Sequence, residues 1–456
     1  TGTLAGALLG DVRHDPFQSG AELATPAHER VEPGAVHRAN KGVLYIDEIR
    51  MLRMEEQQAL LVAMQEKELS ISGRSERSSG ALTKSEPVPT DFILIAAGNL
   101  DSIQNMHPAL RSRIRGYGYE VYVNTDMRDT ERNRRRLIRF IAQEVNNEIK
   151  KGSGKPIPHF DRGSTSLILK EAQRRSGRRG KLSLRLRELG GLVRIAGDLA
   201  AEEGAELTSA DHVTRARMIA KPLEQQVADR YLDRQAEYAM LVNRGNRVGR
   251  VNGLAVLGAD SGLSDYSGVV LPVEAMVTPA QGMSGKVIAT GGLSDLANES
   301  VINISAVVKK LTGKDIKDYD LHVQFPGTHN VDGDSASITM ATAIISAFEG
   351  VPIEQNLAMT GSLSVRGEIL PVGGVTAKIE AAAKSGIAKV VIPRTNMQDV
   401  LMDEKWEKQV EVLPVDSLDE VLEHALVGAE EKVSLVERLA KVIDTISKGT
   451  DTQPSA

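Results

Sequence analysis

Between Ala336 and Gly350 the apolar positions crowd together: Ala336, Ile338, Met340, Ala341, Ala343, Ile344, Ile345 and Phe348. A run this long, closed by a glycine, predicts a buried helix with Gly350 as its C-terminal stop. Asp332-Gly333-Asp334-Ser335 leads into it and places Ser335 in the first turn. A second helix is predicted from Ala377 to Lys384, nearly free of polar side chains until Gly386 apart from Lys378 near its start. Two shorter apolar runs predict buried strands: Gly42 to Ile46, ending in Asp47-Glu48, and Phe92 to Ala97, ending in Gly98-Asn99. Glu55 to Glu68 has the spacing of an amphipathic helix.

These elements fall into blocks. Residues 1–123 read as an α/β core, in which the Ser- and Gly-rich stretch 70–91 predicts an insertion hairpin or a pore-facing loop. Residues 124–241 read as helical, with a polar loop at 152–156 and a long final helix from Pro222 to Leu241. Asn243-Arg244-Gly245-Asn246-Arg247 predicts a linker within 242–249. An α+β domain is expected over 250–427, then a charged helix from Glu430 to Lys448 and a disordered tail from Gly449 within 428–456. No internal repeat is visible.

The chemistry concentrates at Ser335 and Lys378, 43 residues apart. A serine at a helix start lies near backbone N–H groups without intrahelical partners and at the positive end of the helix dipole, where an oxyanion can be stabilised. The alternative is an ordinary N-cap serine. Lys378 favours the first reading. An exposed lysine is protonated at neutral pH, but desolvation among apolar neighbours favours the neutral amine, which can take a proton from a serine without histidine or carboxylate. His329 reads as a loop histidine.

Met359-Thr360-Gly361-Ser362-Leu363-Ser364-Val365-Arg366-Gly367-Glu368-Ile369-Leu370-Pro371-Val372-Gly373-Gly374 resembles the signature of the Lon proteases, and the Ser335-to-Lys378 spacing is similar to theirs. Val251-Asn252-Gly253-Leu254-Ala255, Glu274-Ala275, Gly292-Leu293 and Glu299-Ser300 extend the resemblance over about 250–427. It implies Ser335 as nucleophile, Lys378 as base and Thr360 as a hydroxyl that orients the lysine. Asp334 and Ser337 stand where bacterial members have proline and glycine, and both are similar to the archaeal, B-type pattern. The segment Ala259 to Ser267 reads as a surface loop longer than the family norm.

The first half resembles an AAA+ ATPase. Val43-Leu44-Tyr45-Ile46-Asp47-Glu48 is similar to a Walker B element, in which Asp47 would hold the magnesium of bound ATP and Glu48 would polarise the attacking water. Asn99 is similar to sensor 1, Arg113 in His107-Pro108-Ala109-Leu110-Arg111-Ser112-Arg113 to the arginine finger, and Arg185 to sensor 2, with Arg187 as its rival. A guanidinium stays ionised and binds phosphate in two-pronged fashion, which suits a finger reaching a neighbour's nucleotide. No Gly-x-x-x-x-Gly-Lys-Ser/Thr occurs, and Gly152-Ser153-Gly154-Lys155 lacks the spacing. The expectation is an incomplete AAA+ core with an α-helical lid, in a chain lacking the phosphate loop and the membrane segment that B-type members carry between Walker A and Walker B.

Composition adds exclusions. With 41% hydrophobic and 26% charged residues the chain is of ordinary globular type, and a net charge of −5 gives no general drive toward nucleic acid. Zero cysteines exclude disulfides, thiolate metal sites and a cysteine nucleophile. The nine histidines show no metalloprotease spacing. No apolar run approaches the ~20 residues that span a bilayer, and no signal peptide is visible. Two basic clusters, Arg132, Arg134, Arg135, Arg136 and Arg139, then Arg174, Arg175, Arg178, Arg179 and Lys181, read as solvated helix surface or subunit contact, with a DNA-binding face as the alternative.

The resemblance implies an ATP-dependent serine endopeptidase that degrades unfolded or tagged proteins as a hexameric ring at the cytoplasmic face of the membrane, using ATP and Mg2+. Two alternatives stand beside it: an ATP-independent Lon-like peptidase, and a non-proteolytic AAA+ remodelling or DNA-repair module.

Overall fold

The structure is a computed structural model that describes residues 5–12, 27–74, 82–100, 103, 105–151, 156–238, 241–257, 267–280, 287–290, 304, 318–326, 334–428 and 436–437. His329, residues 152–155 of the expected 152–156 loop, residues 259–266, the 292–300 motif, nearly all of the expected 430–448 helix and the tail lie outside the described residues. The described residues form two compact units, 1–123 and 124–456.

In the first unit, strand β1 (Val43–Ile46) is followed by helix α1 (Met54–Glu66), which stops where Lys67 turns left-handed (φ 60). Strands β2 (Glu68–Arg74) and β3 (Leu82–Pro89) then pair antiparallel, as the hairpin alternative for this stretch expects, with residues 75–81 between them outside the described residues. Strand β4 (Ile93–Ala96) lies parallel to β1, and helix α2 (Pro108–Tyr117) follows. Leu44 and Ile46 are buried with Leu60, Ala63 and Leu110. The expectation of buried strands holds on one face only: Val43, Tyr45, Ile93 and Ile95 are half or more exposed. Side chains alternate across a strand, and α1 and α2 cover one side of this two-stranded sheet.

The second unit begins with strand β5 (Asp126–Arg128) and helices α3 (Glu131–Lys151) and α4 (Arg162–Ser176). Strand β6 (Lys181–Ser183) pairs with β5, and helices α5 (Leu186–Glu202) and α6 (Ala210–Ile219) follow. Asp161 caps α4 through its side chain, accepting from Ser164 N at 2.7 Å. Ile141, Val145, Ile168, Leu192, Val193 and Val213 form the helical core. Helix α7 runs from Leu223 to Glu237, shorter than the expected Pro222 to Leu241. Its buried side chains leave the helical core: Ala228 and Leu232 join those of the following sheet, and Gln235 Nε2 donates to Val270 O at 3.1 Å.

The sheet contains β7 (Arg250–Leu257), β8 (Ser267–Pro279), β9 (Val287–Thr290) and β10 (Tyr319–Gln324). After helix α8 (Ser337–Glu349) come β11 (Leu357–Met359), a small antiparallel pair β12 (Ser362–Leu363) and β13 (Ile369–Leu370), helix α9 (Val375–Lys384), β14 (Lys389–Pro393), β15 (Glu411–Val415) and helix α10 (Leu418–Ala425). Seven described strands pair in the order β9-β10-β8-β7-β11-β14-β15. Alternation sorts them onto two faces. Val269, Leu271, Val273, Met359 and Val391 pack with α8, while Val270, Ala358, Val390 and Ile392 pack with α9 and Leu232 of α7. Helix α8 ends at Gly350, φ 68, where the sequence places its stop.

Candidate active site

Helices α8 and α9 lie on opposite faces of the sheet, so their residues meet only past a strand end. That end is Thr360-Gly361, directly after β11. This strand runs parallel to both neighbours, β7 and β14, and the carboxyl ends of parallel strands are where open sheets place their ligands.

Ser335 is half-buried in a single 3₁₀ turn, Asp334–Ala336, immediately before α8. The helix begins at Ser337 with Ala336 in the cap position, so Ser335 precedes the first α-turn and is not the N-cap. Its backbone carbonyl accepts from Gly361 N at 2.9 Å and from Thr360 Oγ1 at 3.2 Å. Thr360 Oγ1 in turn accepts from Lys378 Nζ at 3.0 Å. Thr360 and Lys378 are 0% and 1% exposed. Ser337 Oγ adds a further tie, accepting from Leu363 N at 2.7 Å and donating to Gly361 O at 3.3 Å.

Lys378 reaches this point because α9 starts at a left-handed Gly374, φ 68, a conformation that side-chain-bearing residues adopt at a cost. The helix also lies very close to the sheet. A Cβ on Gly268 would fall 2.0 Å from Ala377 O, so only glycine fits there. Withdrawing an ammonium from water disfavours its charged form.

The residues expected to contact nucleotide fall in both units. Asp47 and Glu48 follow β1 and Asn99 follows β4, so the parallel pairing brings all three, exposed, to the carboxyl edge of this sheet. Glu48 is left-handed, φ 55. Arg113, on α2, donates to Gln65 Oε1 at 2.7 Å and to Tyr117 OH at 3.3 Å. In the second unit Arg185 stands half-buried at the cap position of α5, and Arg187 is exposed in the first turn. Among the described residues no three acidic or histidine side chains cluster as a metal site. A single carboxylate at Asp47 fits an ion held chiefly by nucleotide phosphates and water.

In the second basic cluster Arg178 and Arg179 are exposed, but Arg174 and Arg175 depart from the reading as solvated surface. Glu171 is 3% exposed and takes hydrogen bonds from Arg174 Nε (2.9 Å) and Arg175 Nε (2.9 Å), while Arg175 Nη1 also reaches Glu188 Oε2 (2.8 Å). Burial alone would raise the Glu171 carboxyl, but Arg174, Arg175 and Arg217 outweigh it and hold it down at about 2. In the first cluster Arg134 pairs with Asp129 and Arg135 with Glu131. Glu380, two residues past Lys378, is raised by burial despite nearby Arg174. Sequence reasoning passed over Glu171 and Glu380, since an acid in a helix carries no sign of its distant partners. No helix among the described residues is long and apolar enough to cross a membrane.

Comparison with known proteins accords with this architecture. The family model for the Lon protease (S16) C-terminal proteolytic domain matches residues 223–428, and it includes α7 with the sheet. The archaeal LonB AAA+ ATPase LID domain matches 159–218, and the Sigma-54 interaction domain 19–111. The archaeal Lon proteases of Thermoplasma acidophilum and Archaeoglobus fulgidus are each 57% identical over 97% of the chain, which spans 67% and 69% of their lengths. That of Methanocaldococcus jannaschii is 34% identical over 91% of the chain and 66% of its own length. With its lid and proteolytic domain in this order and identity this high over nearly its whole length, the chain belongs to the archaeal Lon proteases, ATP-dependent serine endopeptidases of the AAA+ class.

Proposed function

We propose that Ser335 is the nucleophile, Lys378 the general base and Thr360 the residue that orients it. The observation that carries this reading is the continuous link from Lys378 Nζ through Thr360 Oγ1 to the Ser335 carbonyl, all at 3.0–3.2 Å. Neutral Lys378 takes the Ser335 Oγ proton as the oxygen attacks the scissile carbonyl carbon. The tetrahedral oxyanion forms near the N-terminal end of α8, where the helix dipole favours negative charge. The Lys378 ammonium then protonates the leaving amine. In the second half, neutral Lys378 activates water against the acyl ester, and Ser335 recovers its proton.

For the nucleotide, Asp47 would hold Mg2+ together with the ATP phosphates, and hydrolysis supplies the work of unfolding and threading. Glu48 and Asn99 would orient the attacking water, Arg113 would act across a subunit boundary, and Arg185 would serve as the lid's phosphate sensor. The substrates are unfolded or tagged proteins, and the working form is a homo-hexamer at the cytoplasmic face of the membrane. The non-proteolytic alternative leaves the buried lysine–threonine link without a purpose.

Ser335→Ala removes one oxygen and should abolish peptide cleavage with the melting temperature unchanged. Peptidase assays beside a circular dichroism melt check it. Retained cleavage in a folded variant moves the chemistry elsewhere.

A further inference from the structure

The helix that carries Lys378 is entered through Val372-Gly373-Gly374, and two consecutive glycines restrain a backbone weakly. What fixes the entry comes from one distant segment. Asn396, 2% exposed in the 3₁₀ turn Arg394–Asp399, accepts from Val372 N through Oδ1 at 2.9 Å and donates from Nδ2 to Val372 O at 3.0 Å. Nδ2 also donates to Asp399 Oδ2 at 2.8 Å. These partners are a backbone donor, a backbone acceptor and a carboxylate, so the orientation of the amide is unambiguous. On the far side of the glycines, Thr376 Oγ1 donates to Asp399 O at 2.9 Å and accepts from Leu401 N at 3.0 Å. The segment 396–401 therefore grips the chain before and after Gly373-Gly374, half a turn ahead of Lys378.

We propose that Asn396 is a positioning residue for the hydrolysis reaction: its amide, occupying the place of a β-ladder partner for Val372, sets the placement of α9 and hence of the Lys378 amine against Thr360 and Ser335. The inference rests on the reading of Lys378 as general base. Its carbonyl-and-amide grip on Val372 is a hydrogen-bond pair that no aliphatic side chain reproduces. A displacement of the base by about 1 Å can cost on the order of a hundredfold in rate.

The test measures kcat, KM and the pH profile of kcat on the full chain with a short fluorogenic peptide, beside thermal melts. Asn396→Ala should lower kcat at least tenfold, leave KM within about twofold, and move the midpoint of the rising limb of the pH profile, because the amine's surroundings change. The near-isosteric double variant Asn396→Asp with Asp399→Asn restores a hydrogen bond between 396 and 399 but not the donor to Val372 O, and should stay equally slow. Should Asn396→Ala fail to fold, the double variant decides. Full kcat in the double variant, or a folded Asn396→Ala with unaltered kcat and pH midpoint, overturns the proposal. A parallel Lys378→Arg control separates the causes: if it is inactive, only the role of Asn396 has failed, and if it is active, the base assignment falls and this proposal with it.

Discussion

Lys378 Nζ and Thr360 Oγ1 lie 3.0 Å apart, both side chains essentially closed to water, although one lies on helix α9 and the other directly after strand β11, 18 residues earlier. The Thr360 hydroxyl accepts from the amine and donates its own hydrogen bond to the Ser335 carbonyl. Thr360→Val keeps the shape but removes both contacts: the Ser335 carbonyl retains Gly361 N, while the buried Lys378 amine loses a hydrogen-bond acceptor, at about 1–3 kcal/mol. We expect kcat to fall at least tenfold, with Thr360→Ser restoring most of it. Equal rates for the valine and serine variants would remove Thr360 from the mechanism.

Lys378→Arg should be inactive. A guanidinium stays protonated at any usable pH, and its planar fork does not fit the place of a tetrahedral amine. In the wild type, activity should rise with pH as the amine loses its proton. A tenth of wild-type peptidase activity in the arginine variant would mean that position 378 needs only a positive charge.

Gly268→Ala should loosen the seat of α9. The new Cβ meets Ala377 O at 2.0 Å, and a backbone carbonyl can yield only if the helix shifts. Overpacking of this kind costs typically about 1–3 kcal/mol. The melt should drop, and kcat in the surviving folded protein should drop further, since Ala377 directly precedes Lys378. A variant of unchanged melt and rate would show that the helix is not confined at this point.

Glu171 makes the stability of the second unit sensitive to acid. Its folded carboxyl is depressed from 4.5 to about 2, so its contribution is fully present above about pH 4.5 and is lost as pH falls toward 2. That difference corresponds to about 3 kcal/mol. Glu171→Gln removes the carboxylate shared by Arg174 and Arg175, leaving Arg175 with Glu188, and should cost about 3 kcal/mol at pH 7. The deficit should narrow progressively between pH 5 and pH 2 in denaturation series. A deficit independent of pH would point to lost packing instead.

Local pattern determined much of this protein. The apolar run after Ser335 and its stop at Gly350, the isolated lysine at 378, the Asp-Glu at the end of one strand and the Asn at the end of another could all be read in order, because each is a matter of residues within a turn or two. The Lon and AAA+ resemblances were legible for the same reason: signature motifs are contiguous. Tertiary structure decided what each buried face meets. Periodicity records that one side of α7 is apolar, but not that Ala228 and Leu232 turn to the sheet and not to the lid. A count of arginines records charge, but not that Arg174 and Arg175 close on Glu171. Nor does sequence spacing show Asn396 gripping Val372, 24 residues away, because hydrogen bonds between distant segments depend on where the whole core places the backbone and leave no local mark.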